Sequence, residues 1–203
     1  IINNTIASNS YSIRFNFESA GNIMYALSKA TNIRKNNDGE YAILGIPYAQ
    51  YVKGEFDFSK NIRIDHRNSF AFHIGMGIAV PYGNAKTIPF EKQYFSGGAN
   101  SVRGWTVRDL GPGSFVRDEN TNLLDQSGDI KLDASIEYRS KLFWKFQGAI
   151  FVDAGNIWTI RDYDNQPGGV FKFDKFYKQI AVAYGLGLRP VSYTHLRAHE
   201  TKA

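Results

Sequence analysis

Apolar and polar residues alternate along most of this chain. The alternation is cleanest in "FAFHIGMGIAV", where Phe70, Phe72, Ile74, Met76, Ile78 and Val80 fall on one side and Ala71, His73, Gly75, Gly77 and Ala79 on the other. A period of two sends successive side chains to opposite faces of a pleated backbone, so the stretch predicts a strand with one apolar face. The pattern recurs in "YSIRFNF", with Tyr11, Ile13, Phe15 and Phe17 set against Ser12, Arg14 and Asn16. It recurs in "GDIKLDASIEY", with Ile130, Leu132, Ala134, Ile136 and Tyr138 set against Asp129, Lys131, Asp133, Ser135 and Glu137, and in "KQIAVAYGLGLR", with Ile180, Val182, Tyr184, Leu186 and Leu188 on one side. Weaker copies at 22–30, 46–58 and 147–158 bring the expectation to about seven strands, several of about ten residues. Strands of globular proteins usually stop at about five or six residues. A tilted strand crossing a bilayer needs roughly 9 to 11.

The connections alternate as well. Short ones are expected near 19–21, 59–67 and 139–146, and long polar ones near 31–45, 83–127 and 159–175. Outer-membrane barrels have this asymmetry, with short periplasmic turns and long extracellular loops. Trp144 and Trp158 stand near opposite ends of one predicted strand, where interfacial aromatic girdles would hold them. A soluble β-sandwich also alternates along its strands, but those strands are shorter and a loop as long as 83–127 is hard to place in a compact domain.

Composition narrows the choice. The net charge is +5, with cations dispersed among acids rather than gathered into a stripe, so nucleic acid is not an expected partner. Cysteine is absent, which removes disulfides and thiolate metal sites. No apolar run is long enough for a transmembrane helix. The chain begins with Ile1 rather than Met and is read as an internal piece of something longer. After Arg189 the alternation stops, and "PVSYTHLRAHETKA" has a different style.

Few segments suggest chemistry. "FSGGANSVRGW" has the adjacent glycines of an anion-cradling loop, but the spacing of a phosphate loop and its strand-to-helix setting are both missing. His195 and His199 are four apart without the glutamate of a zinc-protease motif, and His73 lies on the polar face of its strand, where a hydrogen-bonded lumenal side chain is expected. The polar faces also carry acids. Glu137 shares the parity of Asp129 and Asp133, and Asp153 alternates with Ile150, Val152 and Ala154, so both carboxylates should point into a lumen. Burying a carboxylate is costly without a partner, and arginine's planar fork is the best one. A turn centred on Lys145 would set Glu137 opposite Asp153 and demand a cation between them. Arg103 could supply it by folding back; alternatively Arg103 is a solvated loop charge and each acid has a local partner such as Lys131 or Lys145.

In order, "YFSGGANSVRGW", "LGPGSF", "ASIEYR", "FVDAGNIW" and "GLGLR" resemble the carboxy-terminal half of the BamA/TamA family of outer-membrane assembly barrels, the bacterial surface antigens. The likeness is good over 46–189 and loose before it, and "GGANS" followed by "LGPGSF" looks like members from Bacteroidetes-type bacteria. The resemblance implies an all-β fold: residues 1–189 as a partial antiparallel transmembrane β-barrel, about seven strands of sixteen, with the loop 83–127 folded into the lumen and POTRA domains upstream. It implies that the loop motif Gly97, Gly98, Val102, Arg103, Gly104 and Trp105, the last in place of the usual Phe or Tyr, carries Arg103 to the wall acids Glu137 and Asp153. It implies a cell outer-membrane location and help in inserting or exporting other proteins. Client outer-membrane proteins, other assembly-machine subunits and the lipid bilayer would be the partners; no catalysis, cofactor or metal is expected. A two-partner secretion translocator shares the "VRG" loop and the acidic wall, and a passive channel or a barrel-embedded hydrolase are readings from other classes. The tail 190–203 resembles a peptide found on many unrelated predicted proteins and is expected to be non-native.

Overall fold

The computed structural model describes residues 9–37, 39–116, 126–143 and 146–190. In chain order the elements are β1 (Ser10–Ala20), α1 (Asn22–Ala30), β2 (Ala42–Ile43), β3 (Ile46–Pro47), β4 (Tyr51–Arg63), β5 (Asn68–Pro81), β6 (Ile130–Lys141), β7 (Phe146–Trp158) and β8 (Ala181–Pro190). Six strands form one antiparallel sheet in the order β1-β4-β5-β6-β7-β8, and β2 and β3 make a separate two-stranded ladder. The expected tail, 190–203, and Trp144 lie outside the described residues, save that Pro190 closes β8.

The alternation becomes two faces. Phe15 pairs with Phe56, Phe56 with Met76 and Met76 with Leu132, so the apolar residues of each strand line up in rows across one side. On that side Phe15, Met76, Val152 and Leu186 are 70, 47, 47 and 81% exposed, far more apolar surface than a water-facing sheet leaves open. The opposite face is polar and is covered by the chain itself: Tyr51, Ala79, Ile88, Tyr94 and Ile157 form one buried cluster between wall and loop, and Val102, Leu110 and Ala183 another. Glycines admit the loop. A Cβ on Gly77 would stand 2.5 Å from the Tyr94 ring, so β5 has to be bare there for Tyr94 to lie flat on it.

The long connections 21–50, 82–129 and 159–180 share one end of the sheet, and the short ones 64–67 and 142–145 the other. One expected strand is something else. Residues 22–30 form α1, because "NIMYALSKA" is rich in helix formers and its large apolar residues Ile23, Met24 and Leu27 recur at helical rather than alternating spacing. The short connection expected at 19–21 is therefore the start of a longer excursion. Gly21, at φ 81°, turns the chain out of β1 where any Cβ would collide with the Ala49 carbonyl. Trp158 ends β7 as expected but is fully buried rather than displayed: Phe171 and Phe176 pack edge-on against its ring, and its indole N–H donates to Gln179 Oε1 at 2.8 Å.

Candidate functional site

The loop after β5 returns to the polar face as a narrow hairpin. Tyr94 and Gly128 exchange backbone hydrogen bonds of 2.8 Å at its base, and Ser96 bridges Leu110 farther along. Gly98 N–H donates to the Trp105 carbonyl at 2.8 Å, closing a tip over residues 99–104. Gly97 and Gly98 have φ of 98° and 87°, a region that strains other residues, and a Cβ on Gly97 would overlap the Thr106 carbonyl. The adjacent glycines are thus what lets the two arms of the hairpin close.

The tip sets its residues against β7 and β8. Val102 is fully buried on Ala183 and Leu110, with Trp105 packed beside this cluster. Gly104 faces the wall so closely that a Cβ would stand 2.7 Å from the Ala183 methyl. Between Val102 and Gly104, the Arg103 guanidinium donates from Nε to Asp153 Oδ2 at 2.7 Å, from Nη2 to Asp153 Oδ1 at 2.8 Å and from Nη1 to Glu137 Oε2 at 2.5 Å. The Arg103 backbone N–H adds a bond of 3.1 Å to Asp153 Oδ2. Asp153 is fully buried and Glu137 nearly so, at 0 and 4% exposure. Both carboxylates therefore exchange hydration for the fork, the side-on geometry in which charge-assisted bonds are strongest. Hydrogen bonding to Asp153, then to Glu137, holds the guanidinium's pKa above its ordinary value.

The two acids are not directly opposite. Glu137 faces Phe151 and Asp153 faces Ser135, so the β6–β7 register is centred on position 144, one residue before Lys145, and the carboxylates sit on a diagonal. This offset relieves like-charge crowding and opens a place between them for an aromatic ring. Phe151 fills it, with the Arg103 guanidinium carbon 3.5 Å above the ring centroid. Gly185, opposite Phe151 on β8, leaves room for that ring, since a Cβ there would stand 2.6 Å from it. Sequence reasoning missed Phe151. The signal was an inward-parity aromatic beside two glycines of the next strand.

Glu137 has further cations. Arg139 Nε approaches Oε1 at 2.8 Å and Arg189 Nη2 at 3.2 Å, so three guanidinium groups surround two carboxylates. Neither Arg139 nor Arg189 stood out in the sequence, because each reads as a lumenal surface charge. Other lumenal charges also pair: His73 lies 3.5 Å from Asp57 and 3.4 Å from Asp133, and Lys131 lies 3.0 Å from Asp133. Among the described residues no group of three His, Cys, Asp or Glu is placed to hold a metal ion. The arrangement is a set of ion pairs that joins a loop to a wall.

The Omp85 superfamily domain model matches residues 3–192. Over 99 residues the chain is 35% identical to the outer membrane protein assembly factor BamA of Neisseria meningitidis serogroup B, an alignment covering 44% of this chain and 12% of that protein. The crystal structure of BamA from Haemophilus ducreyi lacking POTRA domains 1–3 superposes with a TM-score of 0.54 at 18% identity, over 92% of this chain and 46% of that one. The chain thus spans less than half of either relative.

Proposed function

Because the chain belongs to the Omp85 superfamily, we propose that it supplies part of the wall and the in-folded loop of an outer-membrane barrel that inserts or exports other β-barrel proteins. The apolar face carrying Phe15, Met76 and Val152 meets lipid, and the polar face lines the lumen. The carrying observation is the clamp of Arg103 on Asp153 and Glu137. It joins a hairpin to two neighbouring strands through four hydrogen bonds, one of them from the main chain.

In this reading Arg103 is a brace. It keeps the hairpin tip against β6 and β7 while other parts of the barrel admit a client strand by edge pairing. Its work is positional, and the partners are unfolded outer-membrane proteins together with the remaining subunits of an assembly machine. The test uses the full-length protein in cells depleted of the native copy. Arg103→Ala should lower the amount of folded client barrels in the outer membrane, while Arg103→Lys should retain part of the activity. Normal client levels in the Arg103→Ala strain would overturn the role of the brace, and conductance without any client dependence would favour a passive channel instead.

A further inference from the structure

Helix α1 does not belong to the lumenal plug. Its first side chain, Asn22, donates to Ser19 Oγ at 2.7 Å and accepts from Gln50 Nε2 at 2.9 Å and from the Tyr82 hydroxyl at 2.6 Å. Ser19 stands on the lipid-facing parity of β1, in the row of Val52 and Val80. Tyr82 N–H donates to the Gln50 carbonyl, continuing the β4–β5 register by one pair, so Gln50 and Tyr82 have that outward parity too. The helix is therefore fastened to the outside of the wall, at the end where the long loops leave.

The rest of its inner side is also occupied. Ser28 is buried and receives the Tyr48 hydroxyl, and Tyr25 meets the ring of Tyr41 edge-on. The opposite side is apolar and bare: Ile23, Met24 and Leu27 are 78, 46 and 55% exposed. The helix is tied by Asn22 to Ser19, two residues beyond Phe17 on β1 and so a rise of about 7 Å at the strand spacing. The segment 22–37 contains Lys29, Arg34 and Lys35 and no acid. An apolar helix face continuous with lipid-facing strands, accompanied by cations, has the composition of an element lying in a membrane interface. Phe173 and Tyr177 are also exposed, 85 and 58%, on the loop that sheathes Trp158.

We propose that α1 is an interfacial anchor: it lies along the rim of the wall with Ile23, Met24 and Leu27 in the boundary between headgroups and acyl chains of the outer leaflet. The occupant of this face is lipid, because the face continues a lipid-facing surface; the inference rests on the barrel-wall reading. The chain has no cysteine, and any cysteine elsewhere in the full-length protein would first be replaced by serine, so single labels are clean. Met24→Cys, Leu27→Cys and, on the wall, Val152→Cys in the full-length protein would each carry an environment-sensitive fluorophore. The protein would sit in vesicles of phosphatidylethanolamine and phosphatidylglycerol containing lipids spin-labelled near the headgroup for positions 24 and 27, and in a parallel set at the middle of the acyl chain for position 152, the centre of β7.

The expected result is quenching by the spin-labelled lipid at positions 24 and 27 to at least half the extent seen at 152, with little quenching by aqueous iodide. Iodide quenching without lipid quenching at 24 and 27 would overturn the anchor, since the helix would then stand in water. Protection from both would overturn it as well, because protein rather than lipid would cover the face. If position 152 itself escapes lipid quenching, the barrel-wall reading fails, a result distinct from failure at the helix alone.

Discussion

Arg103→Ala removes three side-chain hydrogen bonds to two buried carboxylates and the cation above Phe151. The loss falls unevenly. Glu137 keeps Arg139 and Arg189, but among the described residues Asp153 keeps no cation and only the Arg103 backbone N–H. Breaking a buried ion pair by deleting one partner costs roughly 3 to 5 kcal/mol, because the surviving charge stays buried. The Arg103 side chain is 19% exposed, so water reaches the clamp and the lower end applies, about 3 kcal/mol. The measurement is a double-mutant cycle on the full-length protein in detergent, with urea midpoints followed by the shift from compact to extended gel mobility. Asp153→Ala alone should cost a similar amount. The double variant should cost much less than the sum, with a coupling of at least about 1.5 kcal/mol, since no uncompensated charge then remains. Additivity of the two single effects within about 0.5 kcal/mol would refute the clamp as an energetic unit, whatever its geometry.

Other substitutions probe the support around the clamp. Phe151→Leu removes the ring beneath the guanidinium and should lower stability by about 1 kcal/mol beyond the same change at Phe72 on the apolar face, read by the same midpoints. Gly104→Val should lift the hairpin tip off Ala183 and make Arg103→Ala nearly silent in that background, a non-additivity visible in one further cycle. Burial raises the pKa of Asp129, whose Oδ2 accepts from Ile160 N–H. The folded chain then holds this proton to higher pH than the unfolded one. Its contribution is complete below the ordinary carboxylate value, about 3.9, and is lost as pH rises through the folded value. Asp129→Asn should therefore match the native chain in acid and gain on it toward neutral pH; a stability difference that does not change with pH would count against the burial effect.

The strands were the most legible part, because a wall with lipid on one side and charge on the other forces a strict period of two. Phe70 to Val80 and Ile130 to Tyr138 could hardly have been read otherwise. Helix α1 was not legible as a helix, since Ile23, Met24 and Leu27 in a short window satisfy a weak alternation as well as a helical face. Parity sufficed to aim Glu137 and Asp153 inward, and the family motif named Arg103 as their contact. The one-residue shift of the register centre that makes them diagonal is set by strand pairing rather than by any side-chain pattern. Phe151 was hidden for the same reason: its meaning comes from lying between the two acids across a strand pair. Trp158 was placed at the correct strand end, but the aromatic cover from Phe171 and Phe176 is a long-range contact across a loop.

At the long-loop end β8 stops short of β7: its last pair is Ala181 with Gly155, whereas β7 runs on to Trp158. The free edge is taken by the in-folded loop, whose Gly113 N–H donates to the Ile157 carbonyl at 2.7 Å and whose Gly113 carbonyl accepts from the Asn156 amide at 2.9 Å. The top of the wall is thus finished by residues that come from the plug. With the loop withdrawn, the Ile157 carbonyl would turn from Gly113 to water, since loop residues Ile88 and Tyr94 are part of what covers Ile157. Loop and wall thus share one set of hydrogen bonds at this edge, and whatever frees the loop also unpairs the top of β7.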